Sequence, residues 1–113
     1  MFGFEKLEVY QVAVELLLVA ARIIDQLPRG YSAIADQLKR ASLSIATNIA
    51  EGAGRLTEPD QRRHYGISRG SAMECAALLV ACEKLAVGEQ DAVRQGRPLL
   101  LRIVSMLTKM CRR

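Results

Sequence analysis

A run of polar side chains recurs at helical spacing between residues 37 and 54 of this 113-residue chain. Steps of three and four residues place them on one face of a predicted helix, where a core helix carries apolar side chains. An amide and a carboxylate are costly to bury unless hydrogen bonds satisfy them. The stripe therefore predicts either a structural polar network or a chemical site. Its members are Gln37, Arg40 or Ala41, Ser44, Asn48 and Glu51.

A second polar set, together with small residues, lies in the next helical segment. Glycine inside a helix costs about 1 kcal/mol relative to alanine, so Gly66 and Gly70, with Ala77, indicate close approach by a neighbouring helix. We therefore predict that the two helices meet along this stripe and share a polar network that fixes their register. The predicted network consists of Arg40, Ser44, Asn48, Glu51, Ser71 and Glu74.

Catalytic and metal chemistry find little support in the sequence. Glu51 and Glu74 could form a carboxylate pair for general acid–base work, but nothing else completes such a site. A di-metal bundle needs Glu-x-x-His motifs from two helices, whereas His64 is the only histidine. The serines lack a histidine partner, and no phosphate-binding glycine loop is present. We predict no catalytic residue, no metal, no cofactor and no enzymatic activity.

Positive charge is concentrated in the second half of the chain. Residues 1–53 carry a net charge of −1, and residues 54–113 carry +5. Such asymmetry is compatible with binding to RNA or another polyanion, although a charged face is commonly only a solvated one. Tyr65 and Tyr31 are the few nearby stacking candidates, so binding would depend on charge and shape. The candidate phosphate-binding residues, all expected to be exposed, are Arg55, Arg62, Arg63, His64 and Arg69.

Four helical segments position these residues. Apolar periodicity predicts helices near 5–26, 32–51, 57–87 and 89–112, with glycine and proline between them. Pro98 is expected to break or kink the first turns of the last helix. Short connections between long helices are typical of an antiparallel, up-down-up-down four-helix bundle. We therefore predict an all-α protein with a single domain, residues 1–113.

The first segment carries two apolar stripes where the interior of a bundle normally uses one. The extra stripe predicts burial against another subunit, and hence a homo-oligomer. The first stripe consists of Leu7, Tyr10, Val14, Leu17, Ala21 and Ile24, and the second of Val9, Ala13, Leu16, Ala20, Ile23 and Leu27.

Hydropathy and cysteine content bear on the compartment. The longest apolar run is interrupted by charges and is too short to span a bilayer, and no secretory leader is recognisable. Cys75, Cys82 and Cys111 have no paired spacing, so we expect free thiols that pack as small apolar groups. A cytoplasmic protein without a membrane partner is the expectation.

Sequence blocks at 4–11, 37–42, 44–45, 48–52 and 69–74 together form a recognisable signature. They resemble the bacterial four-helix-bundle family named after proteins encoded in intervening sequences of 23S ribosomal RNA genes. The resemblance implies a ring-like homopentamer without established enzymatic activity. It also implies kinship with the accessory protein of diversity-generating retroelements, which binds a reverse transcriptase and nucleic acid. RNA or a nucleic-acid-processing protein is thus an expected partner, and a protein-interaction scaffold without nucleic-acid binding is the alternative.

Overall fold

The computed structural model describes residues 1–112, which contain four α-helices and two short 3₁₀ turns and no β-strand. Each helix packs on its neighbour in the chain, and the first also packs on the last. The all-α, four-helix prediction is confirmed. The helices are α1 (Glu8–Asp25), α2 (Ser32–Ala53), α3 (Glu58–Leu85) and α4 (Gln90–Cys111), and the 3₁₀ turns are Gly3–Lys6 and Arg29–Tyr31.

Local signals define both ends of α3. The Thr57 hydroxyl accepts a hydrogen bond from the Asp60 N–H at 3.4 Å, and Pro59 occupies the first turn, where a missing N–H costs nothing. After the helix, Ala86 takes a left-handed conformation with φ of 55°, and Gly88 has φ of 81°. The chain thereby turns towards α4. The predicted break at Pro98 is wrong, because α4 remains helical through this exposed proline.

The core confirms one of the two stripes predicted on α1. That stripe is buried against α2 and α4 through Val9, Ala13, Leu16, Ala20 and Ile23. The other stripe, which begins at Leu7, is only partly buried. Its half-buried members are Leu7, Tyr10, Val14, Leu17 and Ile24.

The thiols behave as the sequence predicts. All three cysteines are free, and Cys75 and Cys82 lie in the core. Burial, followed by the nearby Glu74 charge, raises the pKa of the Cys75 thiol to about 12. This thiol is therefore protonated near neutral pH and is a poor nucleophile.

Within residues 1–112, no helix combines the length and the apolar character needed to cross a membrane.

Candidate functional site

Three of the predicted polar residues form a network between α2 and α3. The Asn48 amide donates to the Ser44 carbonyl oxygen and to the Ser44 hydroxyl, both at 3.0 Å. The Ser71 hydroxyl donates to Ser44 Oγ at 2.9 Å, which connects the two helices. The structure thus brings Ser44, Asn48 and Ser71 together through side-chain hydrogen bonds.

His64 is the centre of this network, and the prediction that it is exposed is wrong. It is only 5% exposed. Its Nε2 accepts from Arg55 Nε at 3.0 Å and lies 3.2 Å from Arg63 Nη2. Because a guanidinium group only donates, Nε2 carries no proton and Nδ1 carries it. Nδ1 can therefore donate to the Asn48 Oδ1, which is 3.2 Å away.

Close approach of α2 and α3 depends on Gly52 rather than on the glycines of α3. A Cβ at Gly52 would lie 2.6 Å from Tyr65 Cε1, inside contact distance. Gly66 and Gly70 are exposed with no neighbouring atom within 4 Å of a Cβ, and Ala77 is exposed as well. The prediction that these three small residues contact α2 is wrong, because α3 is rotated to turn a different face inward.

The inward face of α3 also contains a residue that sequence reasoning missed. Ser68 is completely buried, and its hydroxyl donates to the Ile45 carbonyl oxygen at 2.8 Å. Ser68 follows His64 by one helical turn and precedes Ala72 and Cys75, which are also fully buried. The spacing of these four residues is the signal that could have identified the contact face.

Three other predicted network members do not belong to the buried part. Arg40 and Glu74 are exposed, and neither makes a side-chain hydrogen bond or ion pair within the described chain. The Glu51 side chain is 57% exposed and reaches His64 Nδ1 only at 3.5 Å. The prediction of a network that includes Arg40 and Glu74 is wrong, because both lie beside the contact faces of their helices. Glu51 lies at the rim.

The candidate phosphate-binding arginines are interleaved with carboxylates. Arg55 lies 3.7 Å from Glu51 and 3.8 Å from Asp60, and Arg63 lies 3.3 Å from the same Asp60. A similar pair joins Arg62 and Glu58 at 3.7 Å. The charges of these three arginines are therefore balanced locally.

Arg69 is separate from this cluster. Its Nε donates to Thr108 Oγ1 at 2.8 Å, and this hydrogen bond ties α3 to α4. The structure thus brings Arg55, Arg63 and His64 together and leaves Arg69 on another side of α3. No group of three or more metal-ligating side chains occurs within residues 1–112.

Three exposed cations without carboxylate partners lie together at one end of the bundle. Leu7 and Tyr65 line two adjoining cavities there, one shared with Phe2 and Gly54 and the other with Arg62 and Met110. We call residues 2–7, 50–62 and 109–112 the Leu7 end. Within the described chain, the exposed lysines and arginines of this end that form no ion pair are Lys6, Lys109 and Arg112.

An apolar groove of about 360 Å³ runs between α3 and α4. Leu101 is 68% exposed on its rim, and Met73 is half exposed. Arg69 and the Arg97–Glu83 ion pair, with 3.6 Å between its charged atoms, flank the groove. Its apolar walls are formed by Met73, Ala76, Leu79, Val80, Leu100 and Leu101.

Comparison with known proteins identifies the family. A search of curated protein sequences found no match to this chain. The family described as 23S rRNA-intervening sequence protein matches residues 5–109, nearly the whole chain. The chain therefore belongs to the 23S rRNA-intervening sequence protein family.

Proposed function

We propose that this protein is a non-enzymatic RNA-binding module that acts as a homo-oligomer. The observation that carries the proposal is the set of unpaired cations at the Leu7 end, Lys6, Lys109 and Arg112. A cation that has no carboxylate partner gains most from a phosphate, because no existing ion pair must break. The family description refers to an intervening sequence of 23S rRNA, so a structured RNA is the first polyanion to test.

The carboxylates of the Leu7 end are already engaged within the chain. Glu51, Glu58 and Asp60 lie beside arginines, and the Glu5 carboxylate accepts a hydrogen bond from the Phe2 N–H. The paired arginines there add to the positive potential only weakly, while the unpaired cations contribute without local cancellation. A phosphate backbone approaching this end therefore meets three unpaired cations and one carboxylate, Glu5, that has no ion-pair partner within the described residues.

Charge reversal at the Leu7 end tests the RNA proposal. Lys6→Glu, Lys109→Glu and Arg112→Glu, combined in one variant, should weaken binding to a labelled structured RNA by at least about tenfold. The slope of log affinity against log salt should fall by about three, one for each lost phosphate contact. Fluorescence anisotropy at several salt concentrations measures both quantities.

A matched control reverses the same amount of charge elsewhere. Arg29, Lys39 and Lys84 are exposed outside the Leu7 end and make no ion pair within the described residues. Their combined replacement by glutamate should reduce the affinity much less. Equal loss in both variants would mean that RNA responds only to net charge, and absence of binding in the parent protein would refute the RNA proposal.

The apolar groove favours a second candidate function, a protein-interaction scaffold built from copies of this chain. We infer an up-down-up-down arrangement, because Glu8 pairs with Arg102 at 3.1 Å whereas Arg22 pairs with Glu89. Leu7, Tyr10 and Ile24 of the half-buried α1 stripe pack against the core, whereas the part of the stripe formed by Val14 and Leu17 does not and is available to another copy. It could enter the groove of the next copy, where Arg69 would face an α1 carboxylate such as Glu15. Such a head-to-tail contact generates a ring when the rotation between successive copies closes, and an open filament when it does not; the family resemblance supports a ring of five.

A charge placed in the groove tests self-association. Leu101→Glu should dissociate the oligomer, because the new carboxylate would be buried in an apolar interface. Light scattering after size-exclusion chromatography should give five times the 12.5 kDa of one chain for the parent and one chain for the variant. Leu43→Glu, at a half-exposed leucine of α2, is the matched control and should stay assembled. A monomeric parent protein would contradict the oligomer.

A further inference from the structure

An aromatic ring stands in solvent at the Leu7 end. Phe2 is 72% exposed, and its ring stacks on that of Phe4 with centroids 5.5 Å apart and planes inclined by 13°. Phe4 in turn meets the edge of the Tyr10 ring at 4.9 Å. One face of Phe2 is thus supported by a second ring, and the opposite face is open.

Hydrogen bonds hold the backbone beneath this ring in place. The Phe2 N–H donates to Glu5 Oε1 at 2.8 Å, and the Glu5 N–H donates back to the Phe2 carbonyl oxygen at 3.1 Å. The Gln11 amide donates to the Glu5 carbonyl oxygen at 3.0 Å, which fixes the turn to α1. A ring already positioned in this way loses little conformational entropy when a ligand stacks on it.

We infer that the open face of Phe2 is a stacking platform for an unpaired base of single-stranded RNA, an inference that rests on the RNA binding proposed above. Proteins that bind single strands combine aromatic rings for the bases with a cationic path for the backbone. Lys6 is the last residue of the 3₁₀ turn that begins directly after Phe2. Arg62 and Met110 line a second cavity, which shares Leu7 with the cavity that Phe2 lines.

The surroundings of Phe2 favour a nucleic acid over an apolar protein segment. Lys6 and Lys109 are cations without carboxylate partners in the described chain, and an apolar peptide would give them nothing to neutralise. An RNA strand uses both features at once, since each nucleotide has a π-face and a phosphate. The tyrosines that the sequence offers for stacking are less suitable, because Tyr65 is buried and Tyr31 is half-buried.

Paired binding measurements test the platform. The full chain is titrated against a labelled oligoadenylate strand and against a blunt RNA duplex of the same length. Phe2→Ala should weaken single-strand binding by about tenfold, because a stacked base is lost, and should leave duplex binding unchanged. Phe2→Tyr, which keeps a π-face, should retain parent affinity. Leu56→Ala, at a fully exposed leucine of the same end, is the control and should change neither affinity.

The outcomes separate the platform from RNA binding itself. If both RNAs bind and Phe2→Ala changes neither affinity, the platform is refuted while RNA binding stands. Equal loss with Leu56→Ala would show a general apolar contact and would also refute the platform. A solution mass lower for Phe2→Ala than for the parent protein would show that a second copy covers the ring, and this result would also refute the platform. Absence of binding to either RNA would overturn the platform and the RNA-binding proposal together.

Discussion

Replacing His64 by leucine is expected to lower the free energy of unfolding by about 2–3 kcal/mol. Leucine fills a similar volume but can neither accept from Arg55 and Arg63 nor donate to Asn48. Removing one partner from a buried hydrogen bond costs about 1–3 kcal/mol. The loss is largest at Asn48, which is half-buried, because the two arginines are exposed enough to regain water. Chemical denaturation followed by circular dichroism measures the loss.

Two further variants show whether the buried imidazole itself carries the energy. Arg63→Leu removes one donor from a side chain that is mostly exposed, so its cost should stay below about 1 kcal/mol. His64→Gln keeps an acceptor and a donor and should recover part of the loss. A His64→Leu protein within about 0.5 kcal/mol of the parent would contradict a stabilising role for these hydrogen bonds.

Gly52→Val should lower the free energy of unfolding by a similar amount, about 2–3 kcal/mol. The first added carbon would lie 2.6 Å from Tyr65 Cε1 and 3.2 Å from His64 Cβ. The Tyr65 ring is rigid and buried, so α2 and α3 must separate or the ring must leave its position. Overpacking of this kind typically costs about 1–3 kcal/mol, although valine is a slightly better helix former than glycine. Thermal or chemical unfolding measures the change.

Gly70→Val is the matched control for Gly52→Val. Gly70 lies inside α3 with no atom near its added Cβ, so only helix propensity changes, and stability should stay equal or rise slightly. In a protein that already carries Tyr65→Leu, Gly52→Val should lower the free energy of unfolding by less than it does alone, because the ring that the valine would contact is absent. Equal destabilisation by valine at both glycines would show that the cause is not contact with Tyr65.

Helix positions follow closely from the sequence, because apolar periodicity and the caps are local. The start of α3 at Glu58 needs only Thr57 and Pro59, which act within one turn. The pairing of Ser44 with Asn48 is also local, since four residues separate them on one helix. These features could be predicted without knowledge of the tertiary structure.

The rotation of α3 could not be predicted in this way. Small residues lie on both of its faces, Gly66 and Gly70 outside and Ser68 and Ala72 inside, so the apolar contrast between the faces is weak. The choice depends on Gly52, which belongs to a different helix and accommodates the Tyr65 ring.

Burial of His64 is likewise a tertiary property. From the sequence, a histidine that directly follows two arginines is expected to belong to a basic surface patch. The imidazole is buried because a donor from the α2–α3 connection, Arg55, and an acceptor from α2, Asn48, meet it from two sides. Neither partner is adjacent to it in the sequence.

The packing of each helix on its chain neighbour also bears on how fast the protein folds. Pairs α1–α2, α2–α3 and α3–α4 are joined by short connections, so their contacts form with little loop-closure entropy. Only the α1–α4 contact requires distant parts of the chain to meet, and it includes the Glu8–Arg102 pair. Topologies dominated by local contacts fold on microsecond to millisecond timescales. A newly made chain therefore exposes its apolar stripes only briefly before they are covered.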